Sequence, residues 1–292
     1  TVRAAKHSPG SLFKPVMGIA ALDSRTIGLE TTFYCGGGIE IYGALRRCWN
    51  EAGHGALSLR DAIRYSCNVF FYQLGRRIPI DTIARYAEMM GLGRKTGVDI
   101  PGEKEGLVPS TRWKKTTRNE EWYPGETISV AIGQGPLQVT PLQMAVLTAR
   151  LANRGRGIRP HLVLGASEEP PGDSALNVRP EVFEQVIEGM WRSVNEGGTG
   201  QGARVEGFAA CGKTGSTQTI SRETAERIGT GAKAAKTHSW FTGFAPRAQP
   251  RLVVTVLVEY GGGGGATAAP IAGKLFSLYK SNHDRPRSTQ GN

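Results

Sequence analysis

Long apolar runs are missing from this 292-residue chain. The longest, LVVTVLV from Leu252 to Val258, suits a buried strand and falls far short of the ~20 residues that span a bilayer. The first residues are polar and no apolar segment follows them, so no secretory leader is visible. The chain begins abruptly, with its first motif at Ser11, and an upstream region is expected to have been removed. Cysteine is scarce. The four present, Cys35, Cys48, Cys67 and Cys211, form no Cys-x-x-Cys pair, and their number does not fix the redox compartment. No internal repeat is found. Acidic residues are outnumbered, 25 against 36 basic, for a net charge of +11. The basic residues are spread out and no nucleic-acid motif accompanies them, so the excess reads as a solvated surface and nucleic acid is not an expected partner.

What is there is the composition of a soluble globular protein, 39% hydrophobic and 21% charged, at a length that buries a full core. Helical apolar spacing runs from Ser11 to Leu22, with Pro15 tolerated in the first turn. A glycine-rich loop, CGGGIEIYGALRRCWNEAGHGA, follows. Ser58 reads as an N-cap with Asp61 three residues on, and its helix ends near Ser66–Asn68, where a second apolar helix starts. Asp81–Met90 is amphipathic with Gly91 as its stop, and residues 95–112 read as loop. Thr140-Pro141 opens a helix to about Asn153, and Pro180–Val194 is another. Glu168–Asp173 and Ser221–Lys236 read as exposed loops. Three strand-like runs close the chain, VEGFAACGKTGSTQT, THSWFTGFAPR and RLVVTVLVEY, the last two forming a hairpin, before a final helix ending near Lys280. Helices first and strands last predict an α+β fold, an antiparallel sheet flanked by helices.

Three short motifs carry chemistry, and each has a decoy. Ser11 and Lys14 lie one helical turn apart, the spacing a serine nucleophile needs if a neutral lysine is to take its proton. Ser277 and Lys280 match the same pattern, and roughly one such match arises by chance in a chain of this length. Ser66-Cys67-Asn68 is mirrored by Ser193-Val194-Asn195, and Lys213-Thr214-Gly215 by Lys95-Thr96-Gly97. Context separates them. Ser11 opens a buried helix after Pro-Gly, Asn68 lies at a break between two apolar helices, and Lys213 stands in a strand of small residues. Ser277 would be mid-helix near the chain end, Asn195 precedes a C-terminal cap, and Lys95 is in a loop.

The set SLFK, SCN and KTGS is similar to the three active-site motifs of penicillin-binding proteins and serine β-lactamases. The longer stretches WYPGETISVAIGQGPLQVTPLQMA, SWFTGFAP and VEYGGGGGATAAPIA resemble the penicillin-binding protein 2 family, the elongation transpeptidases of rod-shaped bacteria. The resemblance implies one transpeptidase domain over residues 1–292, truncated relative to the family, whose pedestal, membrane anchor and first sheet strands lie upstream of the serine motif. It implies acyl transfer on peptidoglycan stem peptides ending in D-Ala-D-Ala, and β-lactams that mimic that end. Ser11 would be the nucleophile, Lys14 its neutral base with Lys213 supplying the charge that lowers its pKa, and Ser66 a proton relay. Asn68 would hold the peptide carbonyl, and Lys213, Thr214 and Ser216 the terminal carboxylate. The N–H groups of Ser11 and Ser216 would form the oxyanion hole, at roughly 3–4 kcal/mol per donor. Gly215 would let substrate lie along the strand. A RodA-type glycosyltransferase and an MreC-type scaffold are implied as partners, at the periplasmic face of the inner membrane.

Cys35, Cys48, His54 and Cys67 supply three thiols and one imidazole from a glycine-rich loop, a set that suits tetrahedral zinc. A Cys35–Cys48 disulfide and three unrelated thiols remain as alternatives. Some members of the family carry a metal at this loop. The expected zinc is structural, and the chemistry needs no cofactor. Cys211 reads as a small buried strand residue; His7 and His238 receive no role, and Trp240 reads as core beneath the site.

Rival functions start from the same residues. A β-lactam-binding sensor or a serine β-lactamase would share SLFK and KTGS, although the Glu-x-x-Leu-Asn loop of one large β-lactamase class is absent between Ser66 and Lys213. Gly207, Gly212, Lys213 and Thr214 also fit the Gly-x-x-x-x-Gly-Lys-Thr nucleotide signature, but too little chain follows for a parallel-sheet domain.

Overall fold

The computed structural model describes residues 2–163, 175–218 and 237–283. The two exposed loops expected at Glu168–Asp173 and Ser221–Lys236 lie outside the described residues.

Helix α1, Lys14–Asp23, follows a 3-10 turn over Gly10–Phe13, and every residue from Lys14 to Leu22 is buried. An all-round apolar helix must sit inside a core, and α1 packs against α2 (Leu59–Arg64), α3 (Asn68–Gly75), α4 (Ile80–Met89) and α8 (Pro180–Asn195). Ser58 caps α2, its Oγ accepting from Asp61 N at 3.4 Å and donating to Asp61 Oδ2 at 2.9 Å. A reciprocal box closes the start of α7, Pro141–Ala152: Gln143 N donates to Thr140 Oγ1 and Thr140 N to Gln143 Oε1.

The glycine-rich loop is more regular than its composition implies. Strands β1 (Phe33–Cys35) and β4 (Gly55–Leu57) pair antiparallel, and β2 (Gly38–Ile41) and β3 (Ala44–Arg47) form a second hairpin between them. Glycine masks the alternation by which strands are read, because it adds no side chain to either face. Two short helices, α5 (Thr111–Arg118) and α6 (Pro124–Val130), also went unread from sequence. The first is almost wholly polar, and the second is only seven residues, so neither carries a long apolar stripe.

The main sheet has order β5-β6-β7, all antiparallel: Cys211–Gln218, Thr237–Ala245 and Leu252–Val258. Its middle strand is apolar on both faces. Trp240 and Phe244 join the larger core with α1 and α8, while Phe241 and Ala245 join a second core with Phe276 and Ala272 of the last helix, α9 (Ala268–His283). The period-2 split matches a strand covered from both sides. The larger core is shared by α1 and the sheet, and the 3-10 turn over Gly10–Phe13 packs directly on β5, which brings Ser11 beside that strand.

Candidate active site

The turn carrying Ser11 is fixed by two glycines. Gly10 has φ +55° and donates its N–H to Gly133 O at 3.0 Å. A Cβ on Gly10 would meet Thr217 Cγ2 at 2.6 Å, and one on Gly133, itself at φ +74°, would lie 2.0 Å from Gly10 O. Only glycine fits either place.

Ser66 owes its position to the way α2 ends. The N–H of Ser66 bonds Ile63 O at 3.2 Å and that of Cys67 bonds Ala62 O at 3.0 Å, the paired bonds of a Schellman stop. Ser66 therefore takes the left-handed position, φ +55°, where glycine is the usual resident. A serine held there at a cost of about 1 kcal/mol marks a position kept for its side chain. Cys67 then turns the chain into α3, with Asn68 as its first helical residue.

Both lysines end on this turn. Lys14 Nζ reaches Ser66 O at 2.7 Å, Ser66 Oγ at 3.2 Å and Asn68 Oδ1 at 2.7 Å. Lys213, third residue of β5, reaches the same Ser66 Oγ at 2.9 Å and Thr214 O at 2.9 Å. Each lysine is wholly buried. Loss of solvation pushes Lys14 down to about 7, and it pushes Lys213 well below the ordinary lysine range, with Lys14 adding repulsion. Burial thus favours the neutral form of both amines, while the Cys67 and Cys48 thiols favour charge on Lys14.

Above these amines lies a cleft of ≈ 850 Å³. Ser11, Ser66 and Asn68 line it, with Thr214, Gly215 and Ser216 of β5. Gly215 lines the cleft and is also needed for packing: a Cβ there would meet Pro9 O at 3.0 Å and Leu12 Cγ at 3.1 Å, so its missing side chain admits the nucleophile's turn. Thr199 was missed. It lines the cleft and accepts from Thr214 Oγ1 at 2.7 Å, while its N–H bonds Arg64 O at 3.2 Å. The only signal in EGGTGQG was a threonine amid glycines after a helix end. Trp49, Tyr72 and Gln134, also in the lining, carry no motif at all.

The decoys separate. Ser277 is exposed in the middle of α9, and Lys280 bonds Glu206 O at 2.7 Å. Asn195 is turned to Trp191 O and Ala210 O, at 2.8 Å each. Thr96 is held in a loop by Glu103. The nucleotide-loop reading is overturned, since Lys213 and Thr214 stand within a strand rather than at a helix N-terminus. His7 and His238 meet edge to face at 4.9 Å between ring centres, and Trp240 and Cys211 are fully buried.

Below the Ser66 turn, Cys35, Cys48, His54 and Cys67 converge, with their donor atoms all within 4.8 Å of one another. His54 Nδ1 lies 3.5 Å from Cys35 Sγ and 3.6 Å from Cys48 Sγ. All four cysteines are free, so the Cys35–Cys48 disulfide is not formed. The Cys48 thiol is pushed down by a hydrogen bond from Cys67, and the Cys67 thiol correspondingly up. The N–H of Asn68 also donates to Cys48 Sγ, at 3.4 Å.

Residues 4–277 match the family described as penicillin binding protein transpeptidase domain. The chain belongs to that family. It is 35% identical over 302 residues to the Acinetobacter baumannii peptidoglycan D,D-transpeptidase MrdA, covering 98% of this chain and 45% of the relative. Among solved structures, Pseudomonas aeruginosa PBP2 in complex with WCK 5153 is 34% identical with a TM-score of 0.85, covering 95% of this chain and 62% of that one. A complex between PBP2 and MreC from Helicobacter pylori is 30% identical with a TM-score of 0.83, covering 96% and 50%. The chain spans about half the length of the curated relatives it matches. The fold is therefore the transpeptidase fold, α+β as expected.

Proposed function

We propose that this chain is a serine D,D-transpeptidase that cross-links peptidoglycan stem peptides through an acyl-enzyme on Ser11. One observation carries the reading: Ser66 Oγ is shared by two buried amines, Lys14 at 3.2 Å and Lys213 at 2.9 Å, beneath a cleft lined by Ser11 and β5. The substrate's terminal carboxylate settles against the Thr214 and Ser216 hydroxyls, above Lys213. Its negative charge draws the proton onto Lys213 and leaves Lys14 neutral. Ser11 Oγ attacks the carbonyl of the penultimate D-alanine as its proton passes to Lys14, and the oxyanion is met by the N–H groups of Ser11 and Ser216. Lys14 returns that proton through Ser66 Oγ to the leaving D-alanine nitrogen as the C–N bond breaks. Asn68 holds the peptide carbonyl. An amine of a second stem peptide then attacks the ester and regenerates Ser11. A β-lactam, whose ring carbonyl takes the place of the D-Ala-D-Ala bond, acylates the same oxygen.

Labelling with a fluorescent penicillin tests this. The unsubstituted chain and Ser277→Ala label alike, Ser11→Ala does not, and mass spectrometry places the adduct on Ser11. An adduct on any other side chain refutes the assignment. A cross-linking assay with an acceptor stem peptide separates transfer from the sensor and β-lactamase readings, which would give no cross-linked product.

The four-ligand cluster fits a structural zinc: soft sulfur and imidazole donors, a donor spread compatible with one tetrahedral ion, and a cysteine already inclined to the thiolate. Cys35, Cys48, His54 and Cys67 would hold it, and the metal would tie the hairpins to the Ser66–Asn68 turn. It takes no part in the proton transfers. The MreC complex of the Helicobacter pylori relative, and a structure described as coordinating polymerization and crosslinking by a peptidoglycan synthase complex, support an MreC-type scaffold and a RodA-type polymerase as partners. Work at the periplasmic face of the inner membrane follows from that role; among the described residues no helix is long and apolar enough to cross a membrane.

A further inference from the structure

The lining of the cleft is uneven in charge. Among the described residues nearly all of it is hydroxyl, amide, aromatic, isoleucine or glycine, and no carboxylate contributes. Arg46 is the one charged side chain in it among the described residues. It stands on β3, opposite Ile39 in the inner hairpin and two residues before Cys48. Its Nε is buried with no hydrogen-bond partner among the described residues, and none of the ion pairs there includes it. A guanidinium N–H withdrawn from water and left unpaired is unfavourable. The arrangement persists because β3 is held from two sides, by its partner strand and by the Cys48 cluster. Trp49 and Tyr72 lie in the same lining, and the Trp49 indole is pinned by its bond to Tyr65 O at 2.9 Å.

We propose that Arg46 is a specificity residue that binds a second carboxylate on the donor peptide. A guanidinium presents a planar fork of donors that matches a carboxylate, and where no acid stands among the described lining residues it selects an anion. Arg46 arrives from the hairpin, whereas the terminal carboxylate is taken by Thr214 and Ser216 of β5. The group it reads is therefore a side-chain carboxylate, set back along the peptide from the D-Ala-D-Ala end. This rests on the transpeptidase reading and adds to it a substrate preference built into the hairpin that also carries Cys48.

Two penicillins that differ by one carboxylate test the proposal: benzylpenicillin, and its analogue with a carboxylate on the side-chain α-carbon. The measured quantity is the ratio of their second-order acylation rate constants at Ser11, carboxylated over plain. Arg46→Gln lowers that ratio about tenfold, equivalent to about 1.4 kcal/mol. Arg46→Lys, which keeps the charge and loses the fork, recovers part of it. In the unsubstituted protein the ratio falls as salt rises, because an open cleft admits screening ions. A ratio within twofold of the unsubstituted value in Arg46→Gln overturns the proposal, and so does a ratio indifferent to salt, a measurement that needs no variant. Absence of a Ser11 adduct with both compounds would overturn the transpeptidase reading itself, and this inference with it.

Discussion

Replacing Ser66 by alanine and by glycine separates two roles that the residue combines. Both variants delete the hydroxyl shared by Lys14 and Lys213. Both keep the Ser66 carbonyl, which holds Lys14 Nζ at 2.7 Å, and the Asn68 Oδ1 bond, also 2.7 Å, so the base stays where it is. Loss of a positioned proton relay is expected to slow acylation by roughly 10²–10⁴ in each case. Their stabilities should differ. Alanine at φ +55° carries the left-handed penalty of about 1–2 kcal/mol, and glycine does not. Glycine gives back about 0.4–1 kcal/mol through its freer unfolded chain. The glycine variant should therefore be the more stable by about 0.5–1 kcal/mol. Stopped-flow acylation by a chromogenic β-lactam reads the first effect, and denaturant unfolding of the two proteins side by side reads the second. Alanine as stable as glycine would refute the left-handed geometry. Either variant acylating within tenfold of the unsubstituted protein would refute the relay.

Acylation by β-lactam should fall as pH rises above about 7, because the amine pair then loses the one proton that the ligand's carboxylate must draw onto Lys213; a rate that keeps rising to pH 9 would refute a proton shared between Lys14 and Lys213. The same shift acts on stability. Between pH 10.5 and about 7 the unfolded lysine binds a proton that the folded one refuses, so this contribution is lost as pH falls through that window and is constant below it. Unfolding measured across the window in Lys14→Met, against the unsubstituted protein, isolates it. Stripping metal with a chelator should lower the acylation rate and the unfolding midpoint together, the latter by roughly 4 °C if the ion is held at 100-fold its Kd; a protein indifferent to chelation in both respects carries no structural metal at Cys35, Cys48, His54 and Cys67.

The legible parts were those where the local residues decide the local conformation. Capping at Ser58 and Thr140, the buried stripe of α1 and the two-faced apolar pattern of β6 each repeat at their own period, and the fold class followed from their order. The motif set could be chosen over its decoys because burial and chain breaks can be read from flanking residues. What stayed hidden depends on contacts between distant segments. The hairpins at Phe33–Leu57 were obscured by glycine, and their pairing is a long-range fact. Thr199 reaches the cleft only because Gly198 and its neighbours press against Arg64 and Ser193. The packing of Pro9 and Leu12 against Gly215 is likewise a contact that nothing in the sequence announces. Sequence likewise cannot report that the Lys213 amine is fully buried and shares an oxygen with Lys14.

That last point shapes the mechanism. Two Nζ atoms that bond one oxygen at 3.2 and 2.9 Å cannot be more than about 6 Å apart. At an effective dielectric constant near 20, two positive charges at that separation repel by about 3 kcal/mol, or roughly two pKa units. The site therefore holds one proton on two amines near neutral pH, and which amine has it depends on what else is near. Lys14 has three oxygen acceptors around it and Lys213 two, so either amine is placed to hold that proton. In the mechanism proposed above, a carboxylate on β5 would favour charge at Lys213, drawing the proton there and freeing Lys14 as the base. Binding and activation are then one event: a ligand without the carboxylate would leave Lys14 protonated and Ser11 without a base.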